Sequence, residues 1–331
     1  MTTTNSPSSP SSESLSRFSM KGVWAFLIVL FSMPLGHALM ILSEKFAGDA
    51  YVFHAALVMG FIGVALLLWG FIARNATQQT ILGFLGGVLF WTGWVEFAFV
   101  YYARRYGIEP LLDPVTKEVI TKPEYLIMPS SISFWAMMML GYTLNSRTGC
   151  NLFNWIQRHF LPKEKVRTFR APVHNVAVTT FMEFNAVIWT CYLLLLFVYD
   201  EAFIGDRHPI AYIIAFGSLV WAMYLFSRLI RIKNIGAAIR YAIPTVIILW
   251  NTVEILGRWN LFKEIWVHPL EYALEMTLIL VSFFVFIAIL YFSDKHHAKQ
   301  KADKNTQKTD ETKSEFLSSE FHLAARTYRK K

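Results

Sequence analysis

Long apolar runs constrain this chain more than any other feature. Eight stretches of about 20 residues, at roughly 22–43, 51–73, 80–102, 127–144, 175–199, 209–231, 239–257 and 268–293, are dominated by Leu, Ile, Val, Phe, Ala and Trp. At about 1.5 Å of rise per helical residue, each run matches the ~30 Å hydrocarbon core of a bilayer. Lipid offers no partner for backbone polar groups, so a run of this length crosses as a helix. The expected fold class is all-α: a polytopic integral membrane helical bundle of about eight transmembrane helices. A composition that is 55% hydrophobic, with 28 Phe and 11 Trp, is too apolar for a soluble domain of 331 residues.

Basic residues in the connections orient the bundle. With a cytoplasmic N-terminus, the inner segments carry Arg17, Lys21 and Arg74, then six Lys or Arg between 145 and 174. Arg228, Arg231, Lys233, Arg240 and a Lys-rich tail follow. Outer segments mix their fewer cations with Asp and Glu. The expected layout is a Ser/Thr/Pro-rich disordered cytoplasmic segment at 1–20, a transmembrane domain at 21–293 and a basic cytoplasmic tail at 294–331. Both termini are cytoplasmic, in the cell inner membrane if the source is bacterial. The first run, at about 21 residues, is long for a signal-peptide core and reads as an uncleaved span. Inner-face cations near anionic lipid account for the net charge of +8 without nucleic acid. With only Cys150 and Cys191, a structural disulfide or a zinc ribbon is not expected. The connection NLFNWIQRHF at 151–160 has the spacing of an interfacial amphipathic helix, and the 103–126 connection is long enough to cover the outer mouth.

Against this background the ionisable residues inside the spans stand out. Glu96, Glu183, Glu254, Glu271 and Glu275 lie in or at the mouths of apolar runs, where a charge costs at least ~2.5 kcal/mol by insertion scales. Topology puts His37, His54, Glu96, Glu254, His268, Glu271 and Glu275 in the outer third of the membrane. His268, Glu271 and Glu275 follow an i, i+3, i+7 spacing that shares one helix face, with Pro269 acceptable in a first turn. Pro34 and Gly36 next to His37 are expected to open the backbone at that depth. Four outer carboxylates face one nearby cation, Arg258, so protons or divalent cations must supply the balance.

Helices presenting His and Glu to one another can hold metal, and iron or copper, with zinc as a further option, suit that donor set. The expected metal residues are His37, His54, Glu96, Glu254, His268, Glu271 and Glu275. Asn251, Tyr101 and Arg258 would orient them, and Glu183 would carry protons. His37 paired with His54 or His268 would instead suit haem b. HxxxH and HxxHH boxes, Asp-rich prenyltransferase motifs, P-loops and nucleophile elbows are absent from the sequence. The stretch from Asn251-Thr252-Val253-Glu254 to Val267-His268-Pro269-Leu270-Glu271-Tyr272, about 25 residues, is similar in rhythm to part of the copper-binding subunit of particulate methane and ammonia monooxygenases.

The leading expectation is a membrane metalloprotein, an oxidoreductase acting on a small or lipophilic substrate. A proton- or cation-coupled transporter that titrates the same acids is the first alternative. A b-haem quinol oxidoreductase subunit is the second, and a membrane or redox partner subunit fits any of these.

Overall fold

A computed structural model describes residues 18–112, 119–145, 158–159, 175–201 and 203–293 of the chain. Apart from 18–20 and 158–159, the expected N-terminal segment, the 151–160 helix and the tail lie outside the described residues. The order of elements is α1 (Met20–Ile72), α2 (Ala76–Phe90), a π-helical segment (Trp91–Glu96) and α3 (Phe97–Arg105). A short antiparallel hairpin follows, β1 (Leu111–Leu112) with β2 (Val119–Thr121), then α4 (Pro123–Ile127), a 3-10 turn (Met128–Ser131) and α5 (Ile132–Asn145). The later helices are α6 (Val176–Tyr199), α7 (Pro209–Leu229), α8 (Ile235–Arg258) and α9 (Ala273–Ser293).

Among the described residues, six helical runs are long and apolar enough to cross a bilayer: α1, the continuous α2–π–α3 run, α6, α7, α8 and α9. At 53 residues, α1 would be about 80 Å long if straight, far beyond one bilayer. It is broken at Gly48, whose φ of 61° and ψ of 175° belong to glycine. Its two arms coincide with the first two apolar runs of the sequence. Pro34 and Gly36, by contrast, pass within regular helix, and the non-helical backbone of α1 is at Gly48. With 14 residues, α5 is not among the six.

Local chemistry explains the helix starts. Asn75, Asn175 and Asn234 each precede a helix and accept a backbone N–H of its first turn through the side-chain oxygen, relieving donors that have no partner within the helix. His208 caps α7 through its ring, Nδ1 accepting the Ile210 N–H at 3.2 Å, with Pro209 in the first turn.

Small residues then let the helices approach. A Cβ on Gly63 would lie 2.8 Å from the carbonyl oxygen of Gly86, and one on Gly93 would lie 2.6 Å from the amide nitrogen of Gly60. The second arm of α1 is therefore pressed against α2 and the π-segment, as small-residue faces allow in lipid. Gly83 meets the Ala177 backbone of α6 in the same manner, beside an edge-to-face pair of Phe84 and Phe184. The start of α1 is tied to the end of α7, where the Ser19 amide donates to the Ile230 carbonyl at 2.6 Å.

Phe61, Trp69, Ile213, Val220, Trp221, Leu278 and Phe284 are exposed. Apolar surface on that scale fits a lipid environment, and the chain reads as an integral multi-pass membrane protein. Residues 287–331 form a second unit, of which 287–293, the end of α9, are described.

Candidate functional site

Four elements bring polar side chains together inside the bundle: the first arm of α1, the π-segment, α6 and α8. On α1, the His37 ring places Nδ1 3.2 Å from the Met33 carbonyl oxygen. That oxygen can only accept, so Nδ1 carries a hydrogen and Nε2 is left to face the interior. Nε2 lies 3.0 Å from the Tyr192 hydroxyl of α6 and 3.7 Å from Glu254 Oε1 of α8. The Tyr192 hydroxyl also lies 3.3 Å from Glu96 Oε1, to which it can donate. Glu254 accepts the indole N–H of Trp250 at 2.6 Å. The result is a continuous polar line, Glu254, His37, Tyr192, Glu96, through an otherwise apolar core.

The π-segment explains how Glu96 enters that line. A π-turn closes i to i+5, one residue wider than an α-turn, which shifts the register of everything after it. Gly93 of the wide turn packs on Ala56 and Gly60 of α1, while Glu96, only 3% exposed, faces the core. Trp91 of the same segment packs its ring 5.5 Å from that of Tyr192. Its buried indole N–H faces Glu96 without forming a well-aligned hydrogen bond.

A small cavity opens between these groups. His37, Glu96, Tyr192, Trp91, Thr92 and Ser32 contribute to its wall, and it gives about 20 Å³ to the centre of a water molecule. Roughly 10–15 Å³ on that measure is enough for one water, whereas pockets for drug-sized ligands run to several hundred Å³. The space suits water or a small ion.

The described end of the 103–126 connection, β2 and α4, packs against the site. The Tyr125 ring of α4 lies over that of Tyr192, with centroids 6.3 Å apart. Burial raises its phenol well above the usual range, and the charges of Glu96, Glu124, Glu254 and Glu44 add to the effect. Glu124 beside it is buried and its carboxyl is pushed up by desolvation. Arg258 anchors this cover to α8, donating from Nη2 to the Thr121 hydroxyl at 3.0 Å and pairing with Asp206 at 3.7 Å. After α8 the chain turns back so that Trp266 packs on Trp250 at 5.0 Å. The intervening Glu264 has its carboxyl pushed up to about 7, first by burial and then by the negative charge of Glu254.

Of the residues expected from sequence, His37, Glu96 and Glu254 meet here. Asn251 is buried one turn before Glu254 and faces Cys191. Glu183 is buried on α6 nine residues before Tyr192, about 13 Å along the helix, and lies within the field of Arg240. Tyr101 is exposed and packs edge-on against Phe53. His54, His268, Glu271 and Glu275 are exposed and do not line the cavity. His268 to Tyr272 form turns, and α9 begins at Ala273, so the anticipated His-Glu-Glu helical face does not form as one stripe. Among the described residues, no group of three or more His, Cys, Asp or Glu side chains comes together as a set able to hold a metal ion.

Tyr192, Trp250, Tyr125 and Glu264 were not singled out from sequence. Tyr192 carried a weak signal as the one phenol in TCYLLLL, but only tertiary packing pairs it with His37.

Comparison of the chain with protein-family models, curated proteins and solved structures finds no match.

Proposed function

We propose that this protein is a proton-coupled membrane transporter whose Glu254–His37–Tyr192–Glu96 line carries the proton. The observation behind this reading is that Tyr192, with a single hydroxyl hydrogen, lies within hydrogen-bonding distance of both His37 Nε2 and Glu96 Oε1. In one state Glu96 is protonated and donates to Tyr192, which donates to a neutral His37. In the other, protonated His37 donates to Tyr192, which donates to the Glu96 carboxylate. Passing between them breaks the Glu96 O–H and Tyr192 O–H bonds and forms a new Tyr192 O–H and a His37 N–H. One proton moves between Glu96 and His37 with no heavy atom displaced, in either direction, and Glu254 at 3.7 Å is the next group along the line.

A cavity sized for one water supports a path for protons more than a pocket for a lipophilic molecule. The metal and haem readings have less support, because His54, His268, Glu271 and Glu275 do not line the cavity that His37 borders. We further propose eight crossings with both termini cytoplasmic. In that layout the broken α1 supplies two spans, and the 127–144 run, which holds most of α5, supplies one.

The test is proton uptake by proteoliposomes containing the full chain and an entrapped pH dye, under an imposed potential. Wild type should acidify the lumen, and Glu96→Gln and Glu254→Gln should each lower the rate at least tenfold. Wild-type rates in both variants would refute the relay. Elemental analysis and a visible spectrum of the same preparation check the metal and haem alternatives directly.

A further inference from the structure

The proposed relay ends at Glu254, which lies one turn inside the end of α8, so some group must pass protons between it and water. Residues 250, 254 and 257 of α8 share one face at i, i+4 and i+7 spacing. The chain after α8 folds back along that face. Trp266 packs at a tilt against Trp250, and Glu264 lies against Gly257, where any Cβ would collide with Glu264 Oε1. Gly257 thus creates the seat for this carboxylate, one helical turn beyond Glu254 on the same face. Glu264 itself is only partly buried, so it borders both the site and the aqueous surface. Charged groups facing it are Glu254 and Arg258 of α8, His37 of α1 and His268 of the turn before α9. A second, independent feature points to the same place. Among the described residues the buried Tyr199 hydroxyl at the end of α6 has no hydrogen-bond partner, and it senses both Glu254 and Glu264. It supplies an unused donor beside the two acids, held there by Arg258 over its ring at 4.7 Å.

We propose that Glu264 is the proton-exchange residue of the site, taking a proton from water and delivering it to Glu254. This rests on the relay reading of Glu254. In the step, the Glu264 O–H bond breaks and a Glu254 O–H bond forms. Glu264 is left as a carboxylate and is reprotonated from hydronium. Its ionisation near neutrality, set by burial and by the charge of Glu254, lets it both accept and release protons there.

The experiment combines flux with infrared titration of the carboxyl C=O band on the full chain. In wild type the flux should follow a midpoint near pH 7, with a carboxyl band that titrates over the same range. Glu264→Gln should remove that band component, lower the flux about tenfold and flatten its pH profile, while Glu264→Asp should restore part of the flux. Flux in Glu264→Gln with wild-type rate and pH profile would overturn this inference and leave the relay standing. Absence of proton flux in wild type would overturn the relay, and this inference with it. A Gly257→Val variant, which fills the seat without touching a titrating group, should shift the pH midpoint; an unchanged midpoint counts against the assignment.

Discussion

Tyr192 bonds in two directions with one hydroxyl, so its removal separates the two halves of the site. In Tyr192→Phe, His37 Nε2 and the Glu96 carboxyl lose a shared partner in a buried setting, at a cost of about 1–3 kcal/mol. Thermal unfolding in detergent should show the loss. A double-mutant cycle with Glu96→Gln should give less than the sum of the single effects, because both changes break the same contact; strict additivity would show that the bond contributes nothing. Glu264 allows a pH prediction of definite sign. Its folded pKa near 7 lies above the ordinary 4.5, so the folded state binds the extra proton between those values. On this group's account stability is greatest below about pH 4.5 and declines as pH rises toward 7. Melting temperatures between pH 5 and 8 should fall for wild type and fall less for Glu264→Gln; parallel curves would contradict the assigned shift.

At the scale of elements, the π-segment decides where Glu96 points. A π-turn advances each residue by less than an α-turn, so Glu96 sits about where residue 95 of an unbroken α-helix would. Exchanging Val95 and Glu96 moves the carboxylate about 100° round the helix, one residue's turn. The exchange should cost proton flux while the helix content measured by circular dichroism stays near that of wild type; retained flux would show that the direction of this carboxylate is incidental. This element also marks where sequence reasoning stops. The apolar runs and the Asn residues before α2, α6 and α8 are local signals, and the helices begin close to where these predict. A π-turn depends on tertiary packing of Gly93 on Gly60, for which WTGWVE carries no periodic pattern. Likewise, the His268-Pro269-Leu270-Glu271 spacing suits a helix, but the chain spends these residues in turns after the Trp250–Trp266 contact. Spacing can place side chains on one face only once the helix exists.

For the whole molecule, the site follows from burial against lipid. His37, Glu96 and Glu254 were legible in the sequence as charges inside apolar runs, whereas the partners that join them come from helices distant in sequence. The proposed topology is open to a direct check in a background with Cys150 and Cys191 replaced. Single cysteines at Ser12 and Ser314 should react with a membrane-impermeant maleimide only after the cytoplasmic face is opened, and one at Lys263 should react in intact cells. Labelling of the two ends from opposite faces would rule out an even number of crossings. The clamp between Ser19 and Ile230 bears on biogenesis. The start of α1 closes against a segment made roughly two hundred residues later, a delay of about 10–40 s at ordinary translation rates. During that interval the Gly22 face of α1, later filled by the Leu229 backbone, lacks this neighbour, and closure of the bundle there must wait for α7.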